Sequence, residues 1–203
     1  RPFCAPHHSA SVASLIGGGS NARPGEVSLA HNGVLLLDEL PEFSRPALEA
    51  LRQPLEDGVV SVSRVQHQAQ YQASIMLVAS MNPCPCGYYG SKTKKCRCSA
   101  NEIRRYLDRV SGPLLDRIDI QIEVDAVPVQ EINQSAPAES SAQVRARVAQ
   151  ARKRQQERYR KEGIHCNAQL DARLSKKYCE LDAASTQILH MAVEKMGMSM
   201  RAY

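Results

Sequence analysis

Two adjacent carboxylates follow a short apolar run in this sequence. Residues 33–37 are one glycine and four aliphatic residues, and Asp38 and Glu39 come directly after them. Such a run is typical of a buried parallel strand, and ligands of α/β proteins bind where parallel strands end. Because Mg²⁺ prefers carboxylate oxygens, the pattern predicts that Asp38 holds the metal while Glu39 orients a water molecule. A solvated acidic turn at the end of a strand is the alternative.

A second apolar run ends in a side-chain amide. Residues 74–82, SIMLVASMN, predict another buried strand that ends near Asn82. If the two strands are neighbours, this amide lies beside Asp38 and can hydrogen-bond to a γ-phosphate or to its attacking water. Since Pro83 comes next, an ordinary Asn-Pro turn is the alternative.

An arginine lies at a predicted turn between a helix and a third strand. Arg117 is part of SGPLLDRIDI, residues 111–120. A guanidinium at such a turn can reach a phosphate bound by a neighbouring subunit, as an arginine finger does. An ion pair with Asp116 or Asp119 is the alternative.

Four of the seven cysteines are close together in the sequence. Seven is an odd number, and a chain of this length does not need disulfides for stability, so the cluster indicates a metal site. Four thiolates suit tetrahedral Zn²⁺, and the lysines between them favour ionised thiols. A reduced thiol cluster or a redox pair is the alternative. The four predicted ligands are Cys84, Cys86, Cys96 and Cys98.

Composition limits the functions that are possible. The chain has 203 residues, 43% of them hydrophobic, which is enough for one domain and part of a second. No apolar run is long enough for a membrane span and no export signal begins the sequence, so we expect a cytoplasmic protein without a membrane partner. The net charge is +5, and residues 144–161 carry eight Lys or Arg against one Glu. This basic stretch predicts either a solvated helix or attraction to nucleic acid.

The periodicity of the chain predicts an α/β domain followed by a helical one. We expect a partial α/β domain over residues 1–126, with a mainly parallel sheet and the Cys-rich loop 84–98. A linker over 127–141 and part of a helical domain over 142–203 follow. Within the first domain, the pattern predicts one bent helix over 44–58, a β-hairpin over 59–73, a helix over 100–110 and a strand over 118–124. His7 and His8 are assigned to a polar turn without chemistry.

Several stretches resemble the magnesium-chelatase-like AAA+ ATPases, and within them the ComM/YifB competence protein group. The resemblance covers essentially the whole chain, and it depends on residues 1–43, ASMNPCPCGYYG, SGPLLDRIDI and the closing MSMRAY. It implies a three-layer AAA+ core of the P-loop NTPase type, followed by a small all-helical lid. It also implies β-hairpin insertions at residues 14–26 and 59–73 that line the channel of a hexamer.

The resemblance also implies residue roles and partners. Asp38 and Glu39 correspond to the Walker B pair that manages Mg²⁺ and ATP, and Asn82 corresponds to sensor 1. Such proteins couple ATP hydrolysis to DNA remodelling, including branch migration in natural transformation. The remaining implied residues are the arginine finger Arg117, the sensor 2 arginine Arg201 of the lid, and the DNA-contacting residues Arg64 and His67 of the second hairpin.

The phosphate loop of this family, G-x-x-x-x-G-K-[ST], does not occur in the 203 residues. The nearest stretch is GYYGSKT, residues 87–93, where Ser91 separates Gly90 from Lys92. Without the lysine and its cradle of amides, the β- and γ-phosphates lose their main ligands. We therefore expect a fragment that lacks the P-loop and that, by itself, binds ATP weakly and hydrolyses little of it.

Two other functions stay open at the level of sequence. One is the motor subunit of a tetrapyrrole magnesium chelatase, although the resemblance associates the Cys-rich loop with the ComM group. The other is a zinc-stabilised, non-catalytic DNA-binding module, whose binding would not require ATP.

Overall fold

The computed structural model describes residues 2–19, 21–63, 68–124, 127 and 139–198. The chain divides into two compact units, residues 1–126 and 127–203. Among the described helices, none combines the length and the apolar composition needed to cross a bilayer.

The first unit alternates strands with short helices. In chain order it contains β1 (Phe3–Cys4), α1 (Val12–Ile16), β2 (Gly17–Gly18), β3 (Arg23–Pro24), α2 (Glu26–Leu29), β4 (Val34–Leu37), a 3-10 turn (Leu40–Glu42), α3 (Arg45–Ala50), α4 (Arg52–Asp57), β5 (Val59–Ser63), β6 (Gln68–Gln72), β7 (Met76–Ala79), α5 (Ala100–Leu107) and α6 (Gly112–Leu115).

A three-stranded parallel sheet is the centre of this unit. β4 lies between β1 and β7 and pairs with both in parallel. Since parallel strands must be joined by crossovers, helices and hairpins occupy the connections between them. The predicted α/β class with a parallel sheet is confirmed.

The sheet is buried on one face only within the described residues. Leu35 and Leu37 of β4 point into the main hydrophobic core, where they are fully buried. On the opposite face Phe3, Met76 and Val78 are exposed to solvent. The interpretation of residues 33–37 as a strand is therefore confirmed, but the expected burial on both faces is not observed in the described part of the chain.

Both predicted hairpins are present. β5 pairs antiparallel with β6, and β2 pairs antiparallel with β3. The second of these hairpins depends on Gly17, whose φ is +109° and where a Cβ atom would lie 2.5 Å from the carbonyl oxygen of Arg23. No other residue type fits there without moving the backbone. The tip was predicted near residues 66–68; Gln68 begins β6, and residues 66 and 67 lie outside the described residues.

Two sequence predictions differ from the structure. The single helix expected over 44–58 is divided into α3 and α4, because Pro54 lacks an amide hydrogen and its ring would clash with the carbonyl of Ala50. The strand expected over 118–124 is wrong: these residues pair with no strand among the described ones, and Ile120 is 80% exposed. Its apolar alternation is typical of a strand, but a strand forms only where a partner supplies hydrogen bonds.

The second unit is helical, as predicted for the C-terminal part of the chain. It contains α7 (Ser141–Arg158), α8 (Ala172–Tyr178) and α9 (Ala183–Met196). Its small core is built around Tyr159, which packs edge-on against Tyr178 at 5.1 Å between ring centroids. The hydroxyl of Tyr159 donates to Asn167 Oδ1 at 2.9 Å, so the buried phenol has its polar partner. The basic helix α7 buries none of its side chains, which agrees with a solvated surface.

Candidate functional site

Polar side chains meet where the three parallel strands end. Leu37 of β4 pairs with Ala79 of β7, so Asp38 and Ser80 are the next residues of two adjacent strands. β1 runs in the same direction on the other side of β4, and the segment after it therefore reaches the same edge. The residues that follow the strands at this edge are His8, Asp38, Glu39, Ser80 and Asn82.

The carboxylate of Asp38 is fixed by two hydrogen bonds to one oxygen. Its Oδ1 accepts from the backbone N–H of Glu39 at 3.0 Å and from the hydroxyl of Ser80 on the neighbouring strand. A carboxylate oriented in this way loses little further freedom on binding a cation, which favours metal binding. Within the described structure both of these bonds are made by Oδ1.

Glu39 has an unusual backbone conformation. Its φ of 54° and ψ of 48° lie in the left-handed region, which costs a residue with a side chain about 1 kcal/mol or more. Strain of this kind persists where the surrounding structure imposes it, and it is concentrated at functional sites. Its carboxylate Oε2 lies 3.1 Å from Nδ1 of His8, whose ring packs edge-on against Phe43 at 6.4 Å. The acid is therefore held by a side chain that follows a different strand.

A buried tyrosine of α5 lies beside the backbone of Asn82. Tyr106 is 6% exposed, and its pKa responds to the Asn82 backbone. Burial raises the pKa of Tyr106 and the charge of Glu42 raises it further, whereas the Asn82 hydrogen bond acts in the opposite direction. The phenol is neutral at physiological pH, so it acts as a fixed support for the loop that carries Asn82.

Arg117 is held inside its own chain. Its Nη2 forms an ion pair with Glu56 of α4, and its Nη1 donates to the carbonyl of Pro113 at 2.6 Å. The side chain is only 13% exposed. The partner is therefore neither Asp116 nor Asp119, the two alternatives that the sequence suggested. Because Glu56 lies in the last turn of α4, just before β5, the guanidinium is connected to the base of the β5–β6 hairpin.

The four clustered cysteines form a compact group of thiols. Three of their sulfur-to-sulfur distances are 3.4, 3.7 and 3.6 Å, and all four sulfurs lie within 4.8 Å of one another. Tetrahedral Zn²⁺ with bonds of about 2.3 Å separates its sulfur ligands by about 3.8 Å. A disulfide would require about 2.05 Å, so the distances fit a metal site and not a disulfide. The cluster consists of Cys84, which is buried, and Cys86, Cys96 and Cys98.

The thiols of this group differ strongly in acidity. Backbone hydrogen bonds from Arg97 and then from Tyr88 lower the pKa of Cys86 to about 6. For Cys98 a backbone hydrogen bond from Cys86 lowers the pKa, but burial and the neighbouring thiols outweigh it and raise the pKa to about 12. Cys86 is thus available as a thiolate at neutral pH, whereas Cys98 must lose its proton when a metal binds.

Two profiles from one protein family match nearly all of this chain. A family profile described as magnesium chelatase, subunit ChlI, matches residues 1–132. A second profile, described as magnesium chelatase, subunit ChlI C-terminal, matches residues 138–203. The chain belongs to the magnesium chelatase family. The α/β unit with a parallel sheet and the helical C-terminal part both agree with the AAA+ architecture of that family.

Similar proteins come from several bacteria. Competence protein ComM of Haemophilus influenzae is 48% identical over 204 residues, which are all of this chain and 39% of that protein. YifB of Escherichia coli is 45% identical over the same length and the same shares. An uncharacterised protein of Mycobacterium tuberculosis is 45% identical over 98% of this chain and 39% of its own length. This magnesium chelatase family chain spans about two fifths of the relatives that it matches.

Sequence patterns alone did not place three residues at this edge of the sheet in the magnesium chelatase family chain. His8 was assigned to a polar turn without chemistry, and β1, which positions it, is only two residues long and leaves no periodic signal. Ser80 lies within the second apolar run and was not singled out. The pairing of β4 with β7 would have placed it beside Asp38. Tyr106 was missed because nothing local indicates that α5 reaches Asn82. The predicted residues Arg64, His67 and Arg201 lie outside the described residues.

Proposed function

We propose that this chain belongs to an ATP-driven motor that remodels DNA. The observation that carries the proposal is the edge of the sheet where Asp38, fixed by Ser80, lies next to Glu39 and on the same side as Asn82. A metal-binding acid, a second acid and an amide at the ends of neighbouring parallel strands are the groups that phosphoryl transfer requires. The match to the magnesium chelatase family supports the same reading.

Each residue has a distinct task in the proposed reaction. Bound ATP and Mg²⁺ supply the reactive γ-phosphate and neutralise its charge. Asp38 binds the metal, Glu39 orients the attacking water and accepts its proton, and Asn82 hydrogen-bonds to the γ-phosphate or to that water. His8 holds the Glu39 carboxylate beside the reacting water.

A neighbouring subunit completes the site in this proposal. The family suggests an oligomer, and a hexamer places Arg117 of one subunit against the nucleotide of the next. Because Glu56 and Pro113 hold this guanidinium within its own chain, binding at the subunit interface must exchange those partners for phosphate oxygens. Such an exchange would link nucleotide state to the β5–β6 hairpin that follows α4.

Mixing two inactive variants tests whether Arg117 acts between subunits. Glu39→Gln and Arg117→Ala subunits are each expected to be inactive when assembled alone. Mixed in equal amounts they should regain activity at about a quarter of the sites, where an intact Glu39 meets an intact Arg117 from the next subunit. The measurement is the steady-state rate of ATP hydrolysis by the intact protein.

The matched control for this mixing experiment is a variant with both substitutions. Combined with Glu39→Gln subunits it offers no intact Glu39, and no activity should return. If Glu39→Gln and Arg117→Ala subunits co-assemble without regaining activity, Arg117 does not act between subunits.

DNA is the proposed substrate of the motor. The basic helix α7, the net charge of +5 and the relative named as a competence protein support this choice. The decisive experiment incubates the intact protein with branched DNA, Mg²⁺ and ATP, and follows the branched species by gel electrophoresis. We expect ATP-dependent conversion of the branch, and none with a non-hydrolysable analogue. Hydrolysis that DNA does not stimulate, together with unprocessed branches, would contradict the proposal.

A magnesium chelatase motor is the second candidate, because the matching family profiles carry that name. It predicts ATP-dependent metal insertion into a porphyrin and indifference to DNA, so the branched-DNA experiment separates the two. A zinc-stabilised binding module without catalysis is the third, and it predicts DNA binding that neither ATP nor Glu39→Gln alters.

A further inference from the structure

The Cys-rich loop presents aromatic and basic side chains to solvent. Residues 84–98 connect β7 to α5 and contain no Asp or Glu. Tyr88 and Tyr89 are 38% and 55% exposed. Binding a metal requires only the four thiols, so these other side chains are available for other contacts. The basic residues of the loop, all exposed, are Lys92, Lys94, Lys95 and Arg97.

The cysteine cluster fixes the position of the two tyrosines. The backbone N–H of Tyr89 donates to Sγ of Cys84 at 3.3 Å, and the N–H of Gly87 donates to the Cys84 carbonyl at 2.9 Å. Cys84 itself is fully buried. The backbone of Tyr89 is therefore attached to a buried residue of the cysteine cluster, which limits the entropy lost when its ring binds a partner.

The two rings differ in their surroundings. Nζ of Lys94 lies 5.0 Å from the centroid of the Tyr88 ring and 3.3 Å from its hydroxyl oxygen, so the hydroxyl end of this ring already has a cationic partner. Tyr89 is 55% exposed. Among the described residues its ring has no aromatic, cation-π or side-chain hydrogen-bond partner. Tyr89 is thus an exposed aromatic ring that is open for stacking.

The charge of the loop indicates the kind of partner. With zinc bound, four thiolates and the ion contribute −2, while the four basic residues contribute +4, which leaves the loop positive. A positive surface attracts phosphates, and an open aromatic ring stacks on bases of any sequence. An acidic protein surface would use the cations but would gain nothing from base stacking.

We propose that the Cys-rich loop binds single-stranded nucleic acid, with Tyr89 stacked on a base and Lys95 and Arg97 in contact with phosphates. Single strands expose both groups at once, whereas a duplex hides the faces of its bases. The proposal rests on the DNA-directed function proposed above. It adds a contact site outside the β5–β6 hairpin, and this site is built on the predicted zinc centre.

A comparison of normal and abasic DNA tests the role of Tyr89. The intact protein is titrated with a fluorescent thymidine oligonucleotide and with an abasic oligonucleotide of the same length. Tyr89→Ala should bind the thymidine strand about tenfold more weakly, because one stacked base is lost. Its affinity for the abasic strand should not change. Tyr89→Phe keeps the ring and should bind both strands like the wild type, and the zinc content of each variant confirms that the loop is intact.

The phosphate contacts are tested separately. The double variant Lys95→Gln, Arg97→Gln should bind both oligonucleotides more weakly, since both carry phosphates. The slope of log affinity against log salt concentration should fall by about 1.4, or about 0.7 for each lost contact to a single strand. Lys195→Gln removes an exposed charge on α9 and serves as the control, with no expected change.

The outcomes separate this proposal from the wider function. If the wild type binds DNA and Tyr89→Ala binds the thymidine strand equally well with zinc bound, the loop proposal is overturned and the motor proposal stands. Equal loss of affinity for both strands would show that the ring does not stack and would overturn it as well. If the wild type binds no DNA of any kind, both proposals fail.

Discussion

Replacing Glu39 by glutamine in the intact protein is expected to slow ATP hydrolysis by about a thousandfold while ATP still binds. Glutamine has nearly the same shape as glutamate, but it cannot accept the proton of the attacking water. The phosphate and metal contacts do not depend on this carboxylate, so the affinity for ATP should stay close to that of the wild type. The measurements are the steady-state rate of phosphate release and a direct titration with labelled ATP.

Glu42→Gln is the matched control for this experiment. Glu42 lies three residues away and forms an ion pair with Arg109 at 3.0 Å, in which both side chains are partly exposed. Exposed ion pairs contribute about 0–1 kcal/mol, so this variant should hydrolyse ATP at nearly the normal rate. A Glu39→Gln protein with wild-type turnover would show that the carboxylate has no part in the reaction.

Replacing Cys84 by serine is expected to abolish the zinc binding predicted for the cysteine cluster. Structural zinc sites use four ligands, and the sulfur of Cys84 lies within 3.7 Å of both Cys86 and Cys96. Without the metal, nothing crosslinks the remaining thiols, and the loop should lose its fixed conformation. Elemental analysis should find one zinc per wild-type chain and none in the variant, and proteases should cleave the variant between residues 84 and 98.

The loss of zinc should also slow ATP hydrolysis, because the cysteine loop is connected to Asn82 of the proposed site. Asn82 precedes Cys84 by two residues, so a loosened loop lets the amide move away from the nucleotide. A displacement of about 1 Å at a positioning residue can lower turnover by about a hundredfold. Zinc affinity should fall as the pH is lowered, because protons compete with zinc for the thiolates.

Cys179→Ser is the control for the zinc experiment. Cys179 is exposed and lies outside the cluster, so its replacement should change neither zinc content nor hydrolysis. If protein purified without chelators contains no zinc, or if Cys84→Ser retains it, the cluster is not a zinc site. A redox pair would instead appear as a disulfide that forms under mild oxidation.

Local patterns predicted the elements of this chain well where one stretch of sequence decides the outcome. The apolar residues before Asp38 predicted β4, because a strand of that composition is stable only in a buried sheet. Alternation and glycine predicted the two hairpins, because side-chain period and φ above zero are local properties. The helix expected over 44–58 is two helices, so its boundaries were predicted incorrectly near Pro54. The segment 118–124 was predicted to be a strand, but it has no partner strand among the described residues.

The amino-acid sequence by itself determined which groups are available for chemistry: an acidic pair after a core strand, an amide after the next, and four thiols at metal-ligand spacing. Only the tertiary structure decided which of these groups touch. The contacts of Asp38 with Ser80, of Glu39 with His8 and of Arg117 with Glu56 each join segments that are far apart in the chain. Strand order and helix docking create such contacts, and both depend on how distant apolar surfaces pack together, which no local pattern encodes.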